Sequence, residues 1–290
     1  GVGVAVKYGE SPLVTVSAAV AAMVGGYAGK ITGGTFFVDG NAVLAGPGEP
    51  LGAFIAAFAG ITCGHLVSGK TKVDIIVTPV ITIGAGSVVG LLVGPPISQM
   101  MTGLGSIINW ATEQRPFIMG IVVSVVMGMV LTLPISSAAL GIILNLSGLA
   151  AGAATIGCCC NMVGFAVASY RENKFGGLVA QGLGTSMLQV PNIMRHPLIW
   201  LPVIFSSAIL GPVSTILANM QNNATGSGMG SAGLVGQITT YQTIAYDDPK
   251  LVIIKIILLH FVLPAVITLF FSEVFRKANL IKSGDMALNL

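Results

Sequence analysis

The segment NMQNNATGSGMGSAGLVGQ, residues 219–237, is a polar, glycine-rich tract between two strongly apolar segments. In hydrocarbon, backbone that is neither helical nor part of a closed barrel leaves amide and carbonyl groups unpaired, at a cost of several kcal/mol each. A segment of this composition therefore lies outside the bilayer or lines a cavity enclosed by protein. The first interpretation makes the tract an exposed flexible loop, and the second makes it a binding site for a solute.

The rest of the composition is that of a membrane protein. Hydrophobic residues form 54% of the 290-residue chain and charged residues only 8%, against roughly 25% charged residues in soluble domains. The mean hydropathy is +0.91. Long apolar runs without the alternation of barrel strands exclude a transmembrane β-barrel. We expect an all-α integral membrane protein in a lipid bilayer, and its small, scattered net charge of +3 argues against a nucleic-acid partner.

About seven apolar segments approach the ~20 residues that a helix needs to cross hydrocarbon. They are residues 12–29, 50–68, 73–93, 117–133, 147–170, 197–217 and 251–275. Three shorter apolar segments, residues 97–110, 135–146 and 175–193, are expected to form interfacial or re-entrant helices, from which transporters build binding sites. Because the loops are short, we expect one transmembrane domain over residues 1–290 and no soluble domain.

Basic residues predict the orientation, because cytoplasmic loops carry an excess of Lys and Arg. They follow three of the spans, as Lys70 and Lys72, Arg171 and Lys174, and Arg276, Lys277 and Lys282. These regions, and the C-terminus with them, are predicted to be cytoplasmic. The opening residues GVGVAVKYG lack an initiating Met and look like the end of an apolar helix, so the chain is expected to be an N-terminally truncated fragment.

The polar tract has the residue types of a site for a neutral solute. Its glycines let the backbone turn tightly and approach a ligand closely, and neutral amides and hydroxyls supply hydrogen-bond donors and acceptors suited to a sugar or polyol. The glycines also spell GxGxxG, but no predicted strand precedes them, so this is not a dinucleotide fingerprint. The candidate ligands in the tract are Asn222, Asn223, Thr225, Ser227 and Ser231.

Two further places have candidate site residues. The segment QGLGTSMLQVPNIMRHP, residues 181–197, places Gln189 and Asn192 around glycine and proline breaks, where amides can face a pocket; its Arg195 and His196 are expected to anchor the chain at the interface. Glu49 precedes Pro50 at the start of the second span. A carboxylate there is stabilised by the helix dipole, and it could also face a transport cavity.

No catalytic constellation is visible in the sequence. The chain has no nucleophile–base arrangement, phosphate-binding loop or pair of carboxylates, so we expect no catalytic residues and no catalysis by this chain alone. Cys158, Cys159 and Cys160 are consecutive in an apolar run, and His65 and His260 are each isolated. These spacings are not those of metal ligands, and neither a metal nor a cofactor is expected.

Three segments carry a resemblance to a known family. They are GPGEPLGAFIAAFAG (46–60), VDIIVTPVITIGAGSVVGLLVGPPISQMMTGLGSIINW (73–110) and GMVLTLPISSAALG (128–141). With them the chain resembles, over about residues 46–220, the membrane-spanning IIC component of the bacterial sugar phosphotransferase system. It is most similar to the fructose branch, and within it to IIC-like proteins described as toxin or perfringolysin O regulators. The resemblance implies a IIC-type fold with re-entrant hairpins, a homodimer in the bacterial inner membrane, and a separate IIB partner that carries the phosphoryl group.

The chain departs from the fructose branch at two motifs. That branch has an acidic, glycine-rich motif followed by Asn and Lys after its proline, where this chain has Pro134, Ser136 and Ser137. Ser136 and Ser137 are therefore candidate solute ligands, although each hydroxyl could equally bond to its own helix. A second acidic motif is replaced by the neutral tract. The leading hypothesis is a permease for a sugar or similar small polar solute; the alternative is a IIC-like sensor that binds a ligand and acts through a cytoplasmic regulator.

Overall fold

The computed structural model describes residues 1–34, 37–38, 41–42, 49–112, 114–246 and 248–288. The predicted all-α membrane fold is confirmed over this part of the chain. The β-structure in it is one antiparallel pair of two-residue strands, β1 (Phe37–Val38) and β2 (Asn41–Ala42).

In the part of the chain that the structure describes, six helical stretches are long and apolar enough to cross a bilayer. They are Pro12–Thr32, Pro50–Val67, Asp74–Ile97, Gly148–Ala168, Pro197–Leu217 and Pro249–Lys277, and they correspond to six of the predicted spans. The remaining predicted span, residues 117–133, is the shorter apolar helix Pro116–Thr132 of 17 residues. Residues 97–110 do not form a separate helix, since helix α4 continues through them to Thr112.

The chain divides into two compact units, Gly1–Gly103 and Leu104–Leu290. The first contains α1 (Val2–Lys7), α2 (Pro12–Thr32), α3 (Pro50–Val67) and most of α4 (Asp74–Thr112). Small residues let α2 and α3 approach closely, since a Cβ added at Gly25 would collide with the carbonyl of Gly52. Close packing through small residues is the usual way in which helices associate in lipid.

The second unit is built around a central helix. Its helices are α5 (Pro116–Thr132), α6 (Ser137–Ile143), α7 (Gly148–Ala168), α8 (Tyr170–Val179), α9 (Val190–Arg195), α10 (Leu201–Pro212), α11 (Ala224–Ser227), α12 (Val235–Ile244), α13 (Pro249–Ile256) and α14 (Leu263–Lys277). Nearly all of α7 is buried, and α5, α10 and α14 pack around it. A Cβ at Gly157 of α7 would collide with the backbone of Ser124 in α5, so glycine is required at this crossing.

The helices are interrupted within or next to the two polar segments. Residues 180–189 form a π-helical turn, Ala180–Gly184, and a 3₁₀ turn, Ser186–Gln189. Two more π-helical segments, Val213–Leu217 and Ile257–Val262, interrupt the spans on either side of the tract. Such interruptions occur often at functional sites, and here they place irregular backbone inside the second unit.

Candidate functional site

The polar tract folds through its own turn chemistry. Asn219 adopts a left-handed φ of 48°, two residues after the π-helical end of the span Pro197–Leu217. The side-chain oxygen of Asn223 accepts a hydrogen bond from the Gly226 amide at 3.0 Å and so caps the short helix α11. Gly230 and Gly233 then take φ values of 53° and 52°, which glycine adopts at little cost. These residues turn the chain back into α12.

The tract is enclosed by protein on one side. Asn222 is 1% exposed, and its Nδ2 donates to Thr155 Oγ1 of α7 at 2.8 Å and to the Gly236 carbonyl at 3.2 Å. Its Oδ1 accepts from the Asn223 amide at 2.8 Å. The Asn222 backbone also pairs with Gly148 in an antiparallel bridge. Asn222 therefore fixes the start of the tract to the central helix.

A second broken element, α6, packs against the tract. Ser137 Oγ donates to the Gly228 carbonyl at 2.6 Å, and a Cβ at Gly141 would collide with Ser227. Ser136 instead accepts from the Ala139 amide at 3.2 Å and caps its own helix. Of the two candidate serines, Ser137 therefore contacts the tract, whereas Ser136 has a local capping role.

The other side of the tract is open. Thr225 is exposed and its hydroxyl has no hydrogen-bond partner among the described residues, while Asn223 is partly exposed and keeps its amide nitrogen beyond the cap. By contrast, Ser227 and Ser231 are fully buried and bond to backbone carbonyls, those of Ala224 and Gly182. The tract thus has buried anchoring groups and an exposed polar face.

A cavity of about 440 Å³ lies beside the base of the tract. It is lined by Asn145 and Ser147 before Gly148, by Leu149 after it, and by Gln114 and Met119. Its volume is within the range of roughly 300–1,000 Å³ that is typical of small-molecule sites. Gly148, whose backbone pairs with Asn222 of the tract, lies in the chain between the lining residues Ser147 and Leu149.

The structure separates Gln189 and Asn192 from the tract. Gln189 Nε2 donates to Gln181 Oε1 at 2.9 Å, and Asn192 Nδ2 donates to Gln189 Oε1 at 2.9 Å and to the Ala287 carbonyl at 2.8 Å. The tract meets this segment at Gly182, through the hydroxyl of Ser231 at 2.6 Å. The amides expected to face a solute are therefore engaged with each other and with the C-terminal residues.

Arg195 and His196 are exposed at the edge of the same amide cluster. They line a second cavity of about 390 Å³ together with Asp285, whose carboxylate lies 3.7 Å from His196 Nε2. Their expected role as interfacial anchors stays a prediction.

Glu49 belongs to the first unit, whereas the tract belongs to the second. It occupies the N-cap position of α3, and among the described residues its side chain makes no capping bond and its buried Oε2 finds no hydrogen-bond partner. Burial raises the pKa of this carboxyl above its ordinary value of 4.5, and the charge of Lys30 partly opposes the rise.

Sequence reasoning missed a polar network at the centre of the second unit. Asn161 in α7 accepts hydrogen bonds from Thr132 at 3.1 Å and from the Trp200 indole at 3.2 Å. Thr132 also bonds to Ser186 at 2.9 Å, and Asn161 Nδ2 donates to Ser207 at 3.4 Å. The signal in the sequence was a lone amide within an apolar span, which is expected to find an interhelical partner.

A smaller group of polar contacts lies around Gln237, the last residue of the tract. Gln237 Nε2 lies 3.1 Å from His260 Nδ1 and 3.3 Å from Cys159 Sγ. Among the described residues, no group of three or more His, Cys, Asp or Glu side chains is arranged to hold a metal ion. The hydrogen-bond partners found for residues 219–236 of the tract are hydroxyls, amides, backbone groups and sulfur atoms, all of them neutral.

A family model described as Phosphotransferase system, EIIC matches residues 1–288. No curated protein and no solved structure matches the chain.

Proposed function

The chain belongs to the phosphotransferase system EIIC family of membrane components, and on this premise we propose that it binds and translocates a small polar solute, a sugar or similar compound. The observation that carries the proposal is the form of the tract. Buried Asn222 and Ser231 hold its backbone in place, while Asn223 and Thr225 keep polar atoms available on its exposed face. A fixed backbone with free neutral donors and acceptors suits the hydroxyl groups of a carbohydrate.

The solute would lie between the exposed face of the tract and the neighbouring cavity. Asn223 Nδ2 and the Thr225 hydroxyl would bond to it directly, and Ser137, Ser227 and Ser231 would hold the backbone on which these two groups stand. Ser136 would act by capping α6. Gln189, Asn192 and Glu49, which we expected to contact the solute, support this site less well than the tract residues do.

The proposed mechanism is alternating access, in which one helical bundle moves against another around the site. The tract and α6 are short, broken elements that contact each other through Ser137 and Gly228, so they could move together as one element. We propose further that residues 1–290 form one transmembrane domain, that the protein is a homodimer in the bacterial inner membrane with a cytoplasmic C-terminus, and that a separate IIB-type protein serves as partner.

One observation favours solute binding without phosphorylation, which the alternative function of a sensor also requires. The hydrogen-bond partners found for residues 219–236 of the tract are all neutral, whereas phosphoryl transfer to a sugar hydroxyl normally uses a carboxylate as base. This arrangement suits binding without phosphorylation, either in a permease or in a IIC-like regulator that signals through a cytoplasmic protein. Uptake of the bound solute by proteoliposomes would separate the two functions.

The proposal is tested by thermal-shift screening of the detergent-solubilised chain against neutral sugars, polyols and sugar phosphates. A ligand at 100 times its Kd stabilises the native state by about 2.7 kcal/mol. Thr225→Ala should weaken the binding of any compound found, and Ser283→Ala, at an exposed position in the C-terminal segment, should not. If no carbohydrate stabilises the protein, the proposed function is contradicted. If a carbohydrate binds Thr225→Ala as tightly as it binds wild type, the tract is not the solute site.

A further inference from the structure

The C-terminal segment, residues 281–288, is docked onto the second unit. It follows helix α14, and its Ile281 and Met286 are 2% and 0% exposed. Both side chains belong to an apolar cluster with Phe165, Ile193 and Ile199. Burial of two large side chains in a segment without regular structure shows that the fold has a specific place for it.

Three amide side chains bind the backbone of this segment. Asn173 Nδ2 donates to the Met286 carbonyl at 2.9 Å, and Asn173 Oδ1 accepts from the Leu288 amide at 2.8 Å, as a neighbouring strand would. Gln189 Nε2 donates to the same Met286 carbonyl at 3.0 Å. Asn192 Nδ2 donates to the Ala287 carbonyl at 2.8 Å.

A buried ion pair closes the same region. Arg276 at the end of α14 lies 2.9 Å from Glu172 in α8, and the two side chains are 10% and 6% exposed. The Arg276 guanidinium also donates to the Ala168 carbonyl at 3.1 Å and contacts Met286 Sδ at 3.9 Å. The docked segment therefore connects the end of α14 to the break that follows α7.

Hydrogen bonds lead from this segment to the tract, with one step along the chain itself between Gln181 and Gly182. Gln189, bonded to Met286, also donates to Gln181 Oε1 at 2.9 Å. Gln181 is fully buried within the π-helical turn Ala180–Gly184. One residue on, the Gly182 carbonyl accepts from Ser231 Oγ of the tract at 2.6 Å.

We propose that residues 281–288 form a strap that holds the π-helical turn against the tract, and that release of the strap frees the tract to move. π-helical segments are rare and occur mostly as single turns, often at functional sites, and Gln189 binds this turn from outside through Gln181. Elements that move during function come from the less stable regions of a fold. The meaning of the strap for solute release rests on the proposed function, whereas the physical coupling does not.

Hydrogen exchange of the full chain in nanodiscs, followed by mass spectrometry, tests the coupling without any ligand. Asn173→Ala removes two bonds to the strap, Met286→Ser removes its buried side chain, and Ser283→Ala in the same segment is the matched control. Loss of one or two hydrogen bonds should speed exchange about five- to thirtyfold. We expect this at residues 281–288, at 180–186 and, through Ser231, at 229–234, with no change in α5 or in the Ser283→Ala control.

Two results would overturn the proposal. Faster exchange at residues 281–288, with residues 229–234 unchanged, would mean that the segment is docked but not coupled to the tract. Unchanged exchange at 281–288 in both variants would mean that it is not docked. If Asn173→Ala or Met286→Ser also speeds exchange in α5, that variant is replaced by Asn192→Ala, which removes one contact to the strap. The same two results then decide the outcome. Failure to find a bound carbohydrate would contradict the proposed function and leave these exchange results standing.

Discussion

Asn222 and Thr225 are three residues apart in the tract. The structure predicts that replacement by alanine lowers the stability of the fold at Asn222 and weakens solute binding at Thr225. Asn222 is 1% exposed and takes part in three side-chain hydrogen bonds, to Thr155, Gly236 and Asn223. Thr225 is exposed, and its side-chain hydroxyl makes no hydrogen bond to a described residue. One residue is therefore an anchor of the fold, and the other is available to a ligand.

The magnitudes follow from these bonds. A hydrogen bond contributes about 0.5–1.5 kcal/mol net, so losing three of them in Asn222→Ala should lower the free energy of unfolding by about 2–4 kcal/mol. Thr225→Ala removes an exposed hydroxyl and should change stability by less than about 0.5 kcal/mol. It should instead weaken solute binding by about 1–3 kcal/mol, the cost of leaving a polar partner unpaired.

Reversible unfolding in SDS, with thermal melting as a second measure, would give the stabilities, and titration with the compound found by screening would give the affinities. Asn223→Asp is a useful third variant, because Asp caps a helix as well as Asn does while the amide donor is lost. It should bind the solute more weakly and still keep α11 folded. A stability loss below about 0.5 kcal/mol in Asn222→Ala would refute the view that this residue fixes the tract to α7.

Four further predictions follow from other parts of the molecule. Because burial raises the pKa of Glu49, folding favours its protonated form, and this contribution is lost as pH rises through the raised pKa; Glu49→Gln should therefore melt higher than wild type at pH 7, by a margin that shrinks as pH falls toward 4.5. Arg276→Met should cost about 3–5 kcal/mol, because Glu172 is left buried and unpaired; adding Glu172→Gln should recover part of this loss in a double-mutant cycle. Asn161→Ala should cost about 1–3 kcal/mol and shift the fluorescence of Trp200, whose indole loses its acceptor; an unchanged spectrum would contradict the observed bond. A periplasmic phosphatase fused to the C-terminus should be inactive if that end is cytoplasmic, and activity would reverse the predicted orientation.

The sequence alone determined the class of fold and the positions of the spans. Hydrocarbon admits helices with nearly every backbone group paired internally, so apolar runs such as residues 147–170 and 251–275 could become only transmembrane helices. The same rule made the tract stand out, because its glycines and amides cannot face lipid. Local turn chemistry was also readable, since Asn223 and Ser136 are both good N-cap residues and each caps a helix.

Tertiary structure alone decided which polar groups meet. Asn222 and Thr155 are 67 residues apart in the chain, and Gln189 and Met286 are 97 apart; no periodicity relates them. Every amide in a membrane interior needs a partner, but the partner depends on how the helices pack, and glycine contacts such as Gly157 with Ser124 set that packing. For this reason Gln189 and Asn192, which look like solute ligands in the sequence, hold the C-terminal segment in the fold, while Asn161 forms the centre of a network that the sequence did not reveal.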